Sequence, residues 1–212
     1  MISRVVRAVR EYADFARQAV AEYHAIGAVA PSGPQLAVAM TAQVDPQGPP
    51  VRVLEVGAGT GPVTRELLLR LPCGSQLVVV EPSRGFTKRL RALADARPEI
   101  ETTVLACRLD EVEPSRHRFH HIVSSLPFAI FHPDQVRQTV EQMLNQLVDG
   151  GTLSYFAYRG AQLRIAITPR GPSRDQQEAV QTYLRQVHHQ HHGTTRSAWV
   201  NLPPAVVRTI RT

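Results

Sequence analysis

Cysteine is scarce in this chain: Cys73 and Cys107 are the only two in 212 residues. Two cysteines make no disulfide framework, so a reducing cytoplasm is the expected compartment. No apolar run reaches the roughly 18–20 residues that a membrane-spanning helix needs, so no such span is expected. The first residues carry arginine without an apolar stretch behind it, and no secretory leader is expected. Lysine is almost missing: Lys88 is the only one, and arginine supplies the remaining positive charge. Genome composition accounts for that preference, and no ligand is read from it. Internal repeats and low-complexity segments are absent as well.

What is present is an ordinary globular composition. Hydrophobic residues make up 43% of the chain, and its length suits one domain with its own core. The formal charge is +6 and the pI about 10. Such a surface favours an anionic partner, either nucleic acid or an acidic membrane leaflet, and charge alone does not choose between them.

The strongest signal lies in residues 51–61. Val51, Val53, Leu54 and Val56 read as a buried strand. Gly57, Gly59 and Gly61 follow at alternate positions, and Val63, Leu67, Leu68 and Leu71 then take helical spacing. Strand, glycine turn and helix open a nucleotide-binding βαβ unit. Glycine lets the backbone turn sharply and come close to a ligand that a Cβ would hold away. The spacing differs from G-x-G-x-x-G, the dinucleotide fingerprint. Glu55 stands on the strand just before the glycines. A second apolar run, Leu77 to Val80, ends in Glu81, 26 positions after Glu55. An acid at that strand end is placed to accept hydrogen bonds from two ribose hydroxyls, and it disfavours a 2′-phosphate.

The remaining chain alternates strands and helices. Residues 2–26 repeat Ile2, Val5, Val6, Val9, Ala13, Ala16, Val20 and Tyr23 on one helical stripe, with Arg4, Arg7 and Arg10 opening the segment. That amphipathic helix suits either an anionic membrane surface or docking on the domain with its polar face solvated. Pro31 and Pro34 interrupt helix, Ser32 is a candidate cap, and a second helix is expected over 34–43. A division follows at a proline-rich linker, with residues 1–45 a helical membrane-binding or lid segment and 46–212 the nucleotide-binding domain. Further expectations are a helix at 84–94, strands at 102–105 and 119–124, and a helix from Pro133 to Val148 ended by Gly150 and Gly151. A strand at 152–156, a helix at 173–188 and a hairpin of 198–200 with 205–210 complete the chain. Together they predict an α/β Rossmann-like sheet, mostly parallel with an antiparallel last strand, and helices on both faces. The run His188-His-Gln-His-His192 lacks the fixed geometry of a metal site, and no metal is expected.

With Glu55, the triad Gly57, Gly59, Gly61 resembles motif I of the class I methyltransferases, which bind S-adenosylmethionine. Glu81 with Pro82 resembles their motif II. Ser125-Leu-Pro-Phe128 after strand 4 resembles motif IV of amino-group methyltransferases. Most of the chain is similar to the bacterial phospholipid and ornithine-lipid N-methyltransferases, through Gly27–Ser32, Glu55–Gly61, Val80–Pro82, Ser124–Phe128, Gly150–Leu153 and Asn201–Pro204. That resemblance implies an enzyme that methylates the primary amine of phosphatidylethanolamine or an ornithine lipid on the inner face of the cell membrane. It implies an anionic membrane partner, no nucleic acid and no obligate protein partner. It places Ser32, Glu55, Gly57, Gly59, Gly61, Glu81, Pro82 and Ser124 at the cofactor, and Ser125, Leu126, Pro127 and Phe128 at the acceptor. The Ser125 hydroxyl and the Leu126 carbonyl would aim the amine, with Phe128 stacked on the methylated cation. Such enzymes usually place aspartate after strand 3 to bind adenine. Here Cys107 or Arg108 stands at that place, and Asp110 comes late. Tyr23, His24, Tyr155 and Tyr158 are possible bases by position. The alternative function is an amino methyltransferase of ribosomal or other RNA.

Overall fold

The computed structural model describes residues 33–112, 118–158, 172–198 and 205–212. The expected N-terminal amphipathic helix with Tyr23 and His24, Ser32, and the segment Asn201–Pro204 lie outside the described residues. The elements in chain order are α1 (Pro34–Met40), β1 (Arg52–Val56), α2 (Pro62–Arg70), β2 (Gln76–Val80), α3 (Arg84–Asp95) and β3 (Glu101–Leu105). There follow β4 (Phe119–Ser124), α4 (Pro133–Asn145), β5 (Leu147–Tyr158), α5 (Pro172–Gln190), β6 (Thr194–Ala198) and β7 (Ala205–Arg211). Short 3₁₀ turns at Leu109–Glu111 and Phe128–Ile130 lead away from β3 and β4.

One seven-stranded sheet runs β3-β2-β1-β4-β5-β7-β6. The strands from β3 to β5 pair in parallel, whereas β7 is antiparallel to both β5 and β6. The chain order reverses between β1 and β4, which opens a crevice at the carboxyl ends of those strands.

Strand alternation sends side chains into two cores. Val53, Leu77, Val79, Val123 and Val207 face α1 and α2, against Leu36, Met40, Val63 and Leu67. Leu54, Val56, Val80, Ile122, Leu153 and Ile210 face α4 and α5, against Val136, Val140, Met143, Val180 and Leu184. The parallel strands are covered on both sides, which is why they read as continuous apolar runs. Residues 33–45, part of the expected lid, belong to this same packing, since Leu36, Ala37, Met40 and Val44 are buried in the first core.

Two expectations are corrected. Helix α4 ends at Asn145, and Gly150 and Gly151 lie in β5 rather than beyond a helix end. Gly150, at φ +76°, donates its N–H to Thr212 O at 2.9 Å, and Thr212 N–H returns to Gly151 O at 3.1 Å. A Cβ on Gly151 would stand 2.8 Å from Val148 O and 3.2 Å from His120 O. Those glycines fit the close pairing of the C-terminus with an irregular stretch of β5. The register of β5 against β4 shifts there, from Phe119↔Leu147 to His121↔Thr152. The strand paired with β7 is Thr194–Ala198, earlier than expected from Ala198–Val200. Its polar sequence Thr-Thr-Arg-Ser hides a solvent-facing edge strand from an apolar pattern.

Candidate active site

The glycine turn caps β1 at the carboxyl edge of the sheet. Gly57, Gly59 and Gly61 all have positive φ, at +76°, +54° and +86°, a region that costs other residues about 1–2 kcal/mol. Their surroundings differ. A Cβ on Gly59 would meet nothing within 4 Å, so this residue faces open space. A Cβ on Gly57 would come within 2.9 Å of Leu126 Cδ2, so the motif IV loop closes over it. At Gly61 it would reach Leu93 Cδ1 at 2.8 Å and Leu90 Cδ2 at 3.0 Å. Gly61 is therefore what lets α3 pack beside the start of α2.

Glu81 ends β2 and is buried. Its Oε2 accepts the Gly59 N–H at 2.8 Å, and its Oε1 accepts the Ser83 N–H at 2.9 Å. Each carboxylate oxygen keeps a lone pair for a further donor such as a ribose hydroxyl. The acid and the turn it serves are thus one hydrogen-bonded unit.

Glu55 lies beneath that unit, fully buried on the β1 face toward α2, and neither of its carboxyl oxygens has a hydrogen-bond partner among the described residues. Burial pushes its pKa up to about 8, and the charge of Glu81 adds to the shift. Thr64 is close enough to oppose the shift. Yet Thr64 Oγ1 is itself without a partner of normal geometry. The raised pKa favours the neutral acid at neutral pH, and Glu55 underlies the turn without reaching solvent.

Motif IV follows β4. Ser124 is buried, and its Oγ accepts the Leu126 N–H at 3.4 Å. Ser125 N–H donates to Val56 O at 2.8 Å, which ties the loop to the end of β1. The Ser125 hydroxyl is buried with no hydrogen-bond partner among the described residues. The Leu126 carbonyl accepts the Phe128 N–H at 3.0 Å, and Pro127 begins the 3₁₀ turn. Phe128 does not face the crevice. It is 2% exposed, edge-on to Phe131 at 6.3 Å and to Tyr155 at 5.8 Å. In this geometry its ring supports the wall, and Phe131 is the aromatic that borders the crevice.

The crevice floor is Val56, Gly57, Val80 and Pro82, with Leu126 and Phe131 on one side. Arg108, Leu109 and Asp110 border it after β3. Arg108 Nε and Nη2 donate to the two Asp110 carboxylate oxygens at 2.9 and 2.8 Å. The 3₁₀ turn brings Asp110 back to the crevice despite its late position in sequence. Cys107 packs beside the second core instead, and burial raises its thiol pKa, with the Glu111 and Asp110 charges adding to it. The opposite wall is a face of α4 that sequence reasoning missed, Gln135, Gln138, Thr139 and Gln142. Their spacing was a signal, because it puts four uncharged polar side chains beside the apolar stripe of Val136, Val140 and Met143. Gln142 Nε2 donates to Leu109 O at 2.7 Å and so joins the helix to the turn.

One candidate base falls away from this place. Tyr155 is fully buried, directs its hydroxyl to Leu184 O at 3.4 Å, and has its pKa raised by burial. Tyr158 closes β5. Of the histidine run, His188 and His189 belong to the last turn of α5. No cluster suited to a metal occurs among the described residues.

The family model described as a methyltransferase domain matches residues 53–151, from β1 into β5. That segment, just under half of the chain, is thus similar to a methyltransferase domain. The fold of the chain is similar to that of an O-methyltransferase from Bacillus cereus in complex with S-adenosylhomocysteine. Their TM-score is 0.62 at 13% identity, over 94% of this chain and 91% of that one. It is also similar to the N-methyltransferase NodS of Bradyrhizobium japonicum WM9, again with S-adenosylhomocysteine, with a TM-score of 0.57, 18% identity, and coverage of 84% and 83%. Among curated proteins, the mitochondrial dimethyladenosine transferase 1 of Drosophila pseudoobscura pseudoobscura is 32% identical over 85 residues. That match takes in 37% of this chain and spans a quarter of the relative's length (25%). Both of those solved structures hold S-adenosylhomocysteine, the product left when S-adenosylmethionine gives up its methyl group. The residues present fit S-adenosylmethionine: an open backbone at Gly59, an acid at Glu81 with free lone pairs, and an apolar floor ending in Pro82.

Proposed function

We propose that the protein transfers methyl groups from S-adenosylmethionine to the primary amine of a membrane aminolipid at the inner face of the cell membrane. The observation that carries this reading is the Ser125 hydroxyl, buried without a partner in the loop that covers Gly57. A buried hydroxyl left unpaired costs about 1–3 kcal/mol. An amine nitrogen arriving there would supply the missing partner and be aligned on the sulfonium methyl.

Glu81 holds the ribose, and Gly59 leaves room beside the turn. The cofactor supplies an electrophilic methyl group, and the chain's task is to position the nitrogen lone pair in line with it. A free alkylamine has a pKa of roughly 10, and desolvation in the crevice lowers it toward the reactive neutral form. The basic composition and the arginines of the first ten residues support an anionic surface as the place of reaction.

Methylation of an RNA amino group is the second reading, favoured by the match to a protein named dimethyladenosine transferase. Labelled S-adenosylmethionine, incubated in parallel with phosphatidylethanolamine, an ornithine lipid and ribosomal RNA, separates the two. Label in a lipid is expected; label in RNA alone overturns the aminolipid reading.

A further inference from the structure

Helix α3 carries Arg84, Lys88, Arg89 and Arg91, all exposed, against one acid, Asp95 in its last turn. At 100° per residue Lys88 and Arg89 lie opposite the buried Thr87 and Leu90, while Arg84 and Arg91 flank that side next to Thr87. Gly85 and Ala92, small and exposed, lie between Lys88 and Arg89 and leave the face low. Phe86, 40% exposed, stands at its edge.

The placement works against the helix. Arg84 sits in the first turn, where the macrodipole is positive and a cation is disfavoured. Arg84 with Lys88, and Lys88 with Arg91, are like charges at spacings of four and three, which repel. No ion pair joins any of the four to an acid among the described residues. Other helices balance their charges: α2 pairs Arg70 with Glu66 at 3.9 Å, and α5 pairs Arg174 with Glu178 at 2.7 Å. In α4, Arg137 stacks over Tyr183 at 5.1 Å.

We propose that the outer face of α3 is a docking surface for an anionic lipid bilayer. The helix starts at Arg84, two residues after Pro82 of the crevice floor, so its first turn and the crevice share the carboxyl edge of the sheet. A planar surface touching Lys88, Arg89 and Phe86 would lie beside the crevice mouth. The cations meet headgroup phosphates and Phe86 enters the interface. Charge complementarity selects an anionic partner, and the low face with an aromatic edge favours a flat one over a grooved nucleic acid. That this contact serves acceptor delivery rests on the aminolipid reading; the contact itself does not.

The test is co-sedimentation of the full chain with phosphatidylcholine vesicles, with and without phosphatidylglycerol, across a salt series. The fourfold variant Arg84→Gln, Lys88→Gln, Arg89→Gln, Arg91→Gln is compared with the parent. Each basic residue near such a surface contributes about fivefold in partitioning, so a loss of at least about 100-fold on phosphatidylglycerol vesicles is expected, with the salt dependence flattened. Phe86→Ala should weaken binding about tenfold at any salt. S-adenosylhomocysteine affinity should be unchanged in both variants, and the thermal midpoint of the fourfold variant should be equal or higher, since it removes like charges from α3. Unchanged vesicle binding in the fourfold variant overturns the proposal. Loss of binding to a ribosomal RNA fragment with vesicle binding intact overturns it as well. Should no aminolipid accept methyl groups while α3 still governs vesicle binding, the acceptor assignment fails and this surface stands.

Discussion

The backbone N–H of Gly59 donates to Glu81 Oε2 at 2.8 Å. Through that bond the end of β2 holds the turn that follows β1, and two sequence signals 22 residues apart become one site. The same carboxylate also accepts from Ser83 N–H, so it fixes the start of α3.

Glu81→Ala should weaken S-adenosylhomocysteine binding by about 1–3 kcal/mol, the range for hydrogen bonds to a charged group. Isothermal calorimetry on the folded variant measures it. An unchanged affinity would take the ribose role away from Glu81 and leave it a bracket for the glycine turn.

Gly59→Ala and Gly61→Ala should behave differently. At Gly61 the new methyl group meets Leu90 and Leu93, and the left-handed backbone adds its own cost. About 2–4 kcal/mol of stability should be lost, from overpacking and conformation together. At Gly59 only the conformational part applies, about 1–2 kcal/mol, while cofactor affinity should fall more because the space is open. Denaturant melts and calorimetry on both variants test this, and equal losses of affinity would place Gly61 at the cofactor too.

Ser125→Ala should leave the melting temperature unchanged or slightly raised, because it removes a buried hydroxyl that has no partner. Turnover should fall about 10- to 100-fold if that hydroxyl aims the acceptor, by loss of alignment worth about 1.4–2.7 kcal/mol. Phe128→Ala should instead lower stability by about 3–5 kcal/mol, as for a buried aromatic. A variant Phe128→Ala that melts normally but is inactive would return Phe128 to the acceptor.

Glu55 sets a pH dependence. Its folded pKa of about 8 lies above the ordinary 4.5, so the native state binds more protons than the unfolded state between those values. Stability from this group is therefore present below about pH 4.5 and lost as pH rises toward 8. Glu55→Gln should flatten that slope and gain on the wild type as pH rises. Urea melts at a series of pH values provide the measurement, and parallel curves for the two proteins would remove the buried acid as the cause.

Local chemistry was enough for the core of the fold. Strand β4 at Phe119–Ser124, the apolar runs of β1 and β2, and the glycine turn between β1 and α2 are all set by nearest-neighbour rules. Side-chain alternation, left-handed backbone and an acid at a strand end are legible wherever they occur. What the residues meet across the fold was not. Gly61 belongs to helix packing because Leu90 and Leu93, in another helix, lie over it. Phe128 is a wall residue because Tyr155 and Phe131 close around it. Asp110 reaches the crevice because a 3₁₀ turn folds it back, and the α4 amides face that crevice because Gln142 is tied to Leu109. Gly150 and Gly151 sit in a strand because the C-terminus pairs there. Backbone preference is a property of a few adjacent residues; the destination of a side chain is fixed by partners dozens of positions away, and only the assembled sheet decided those.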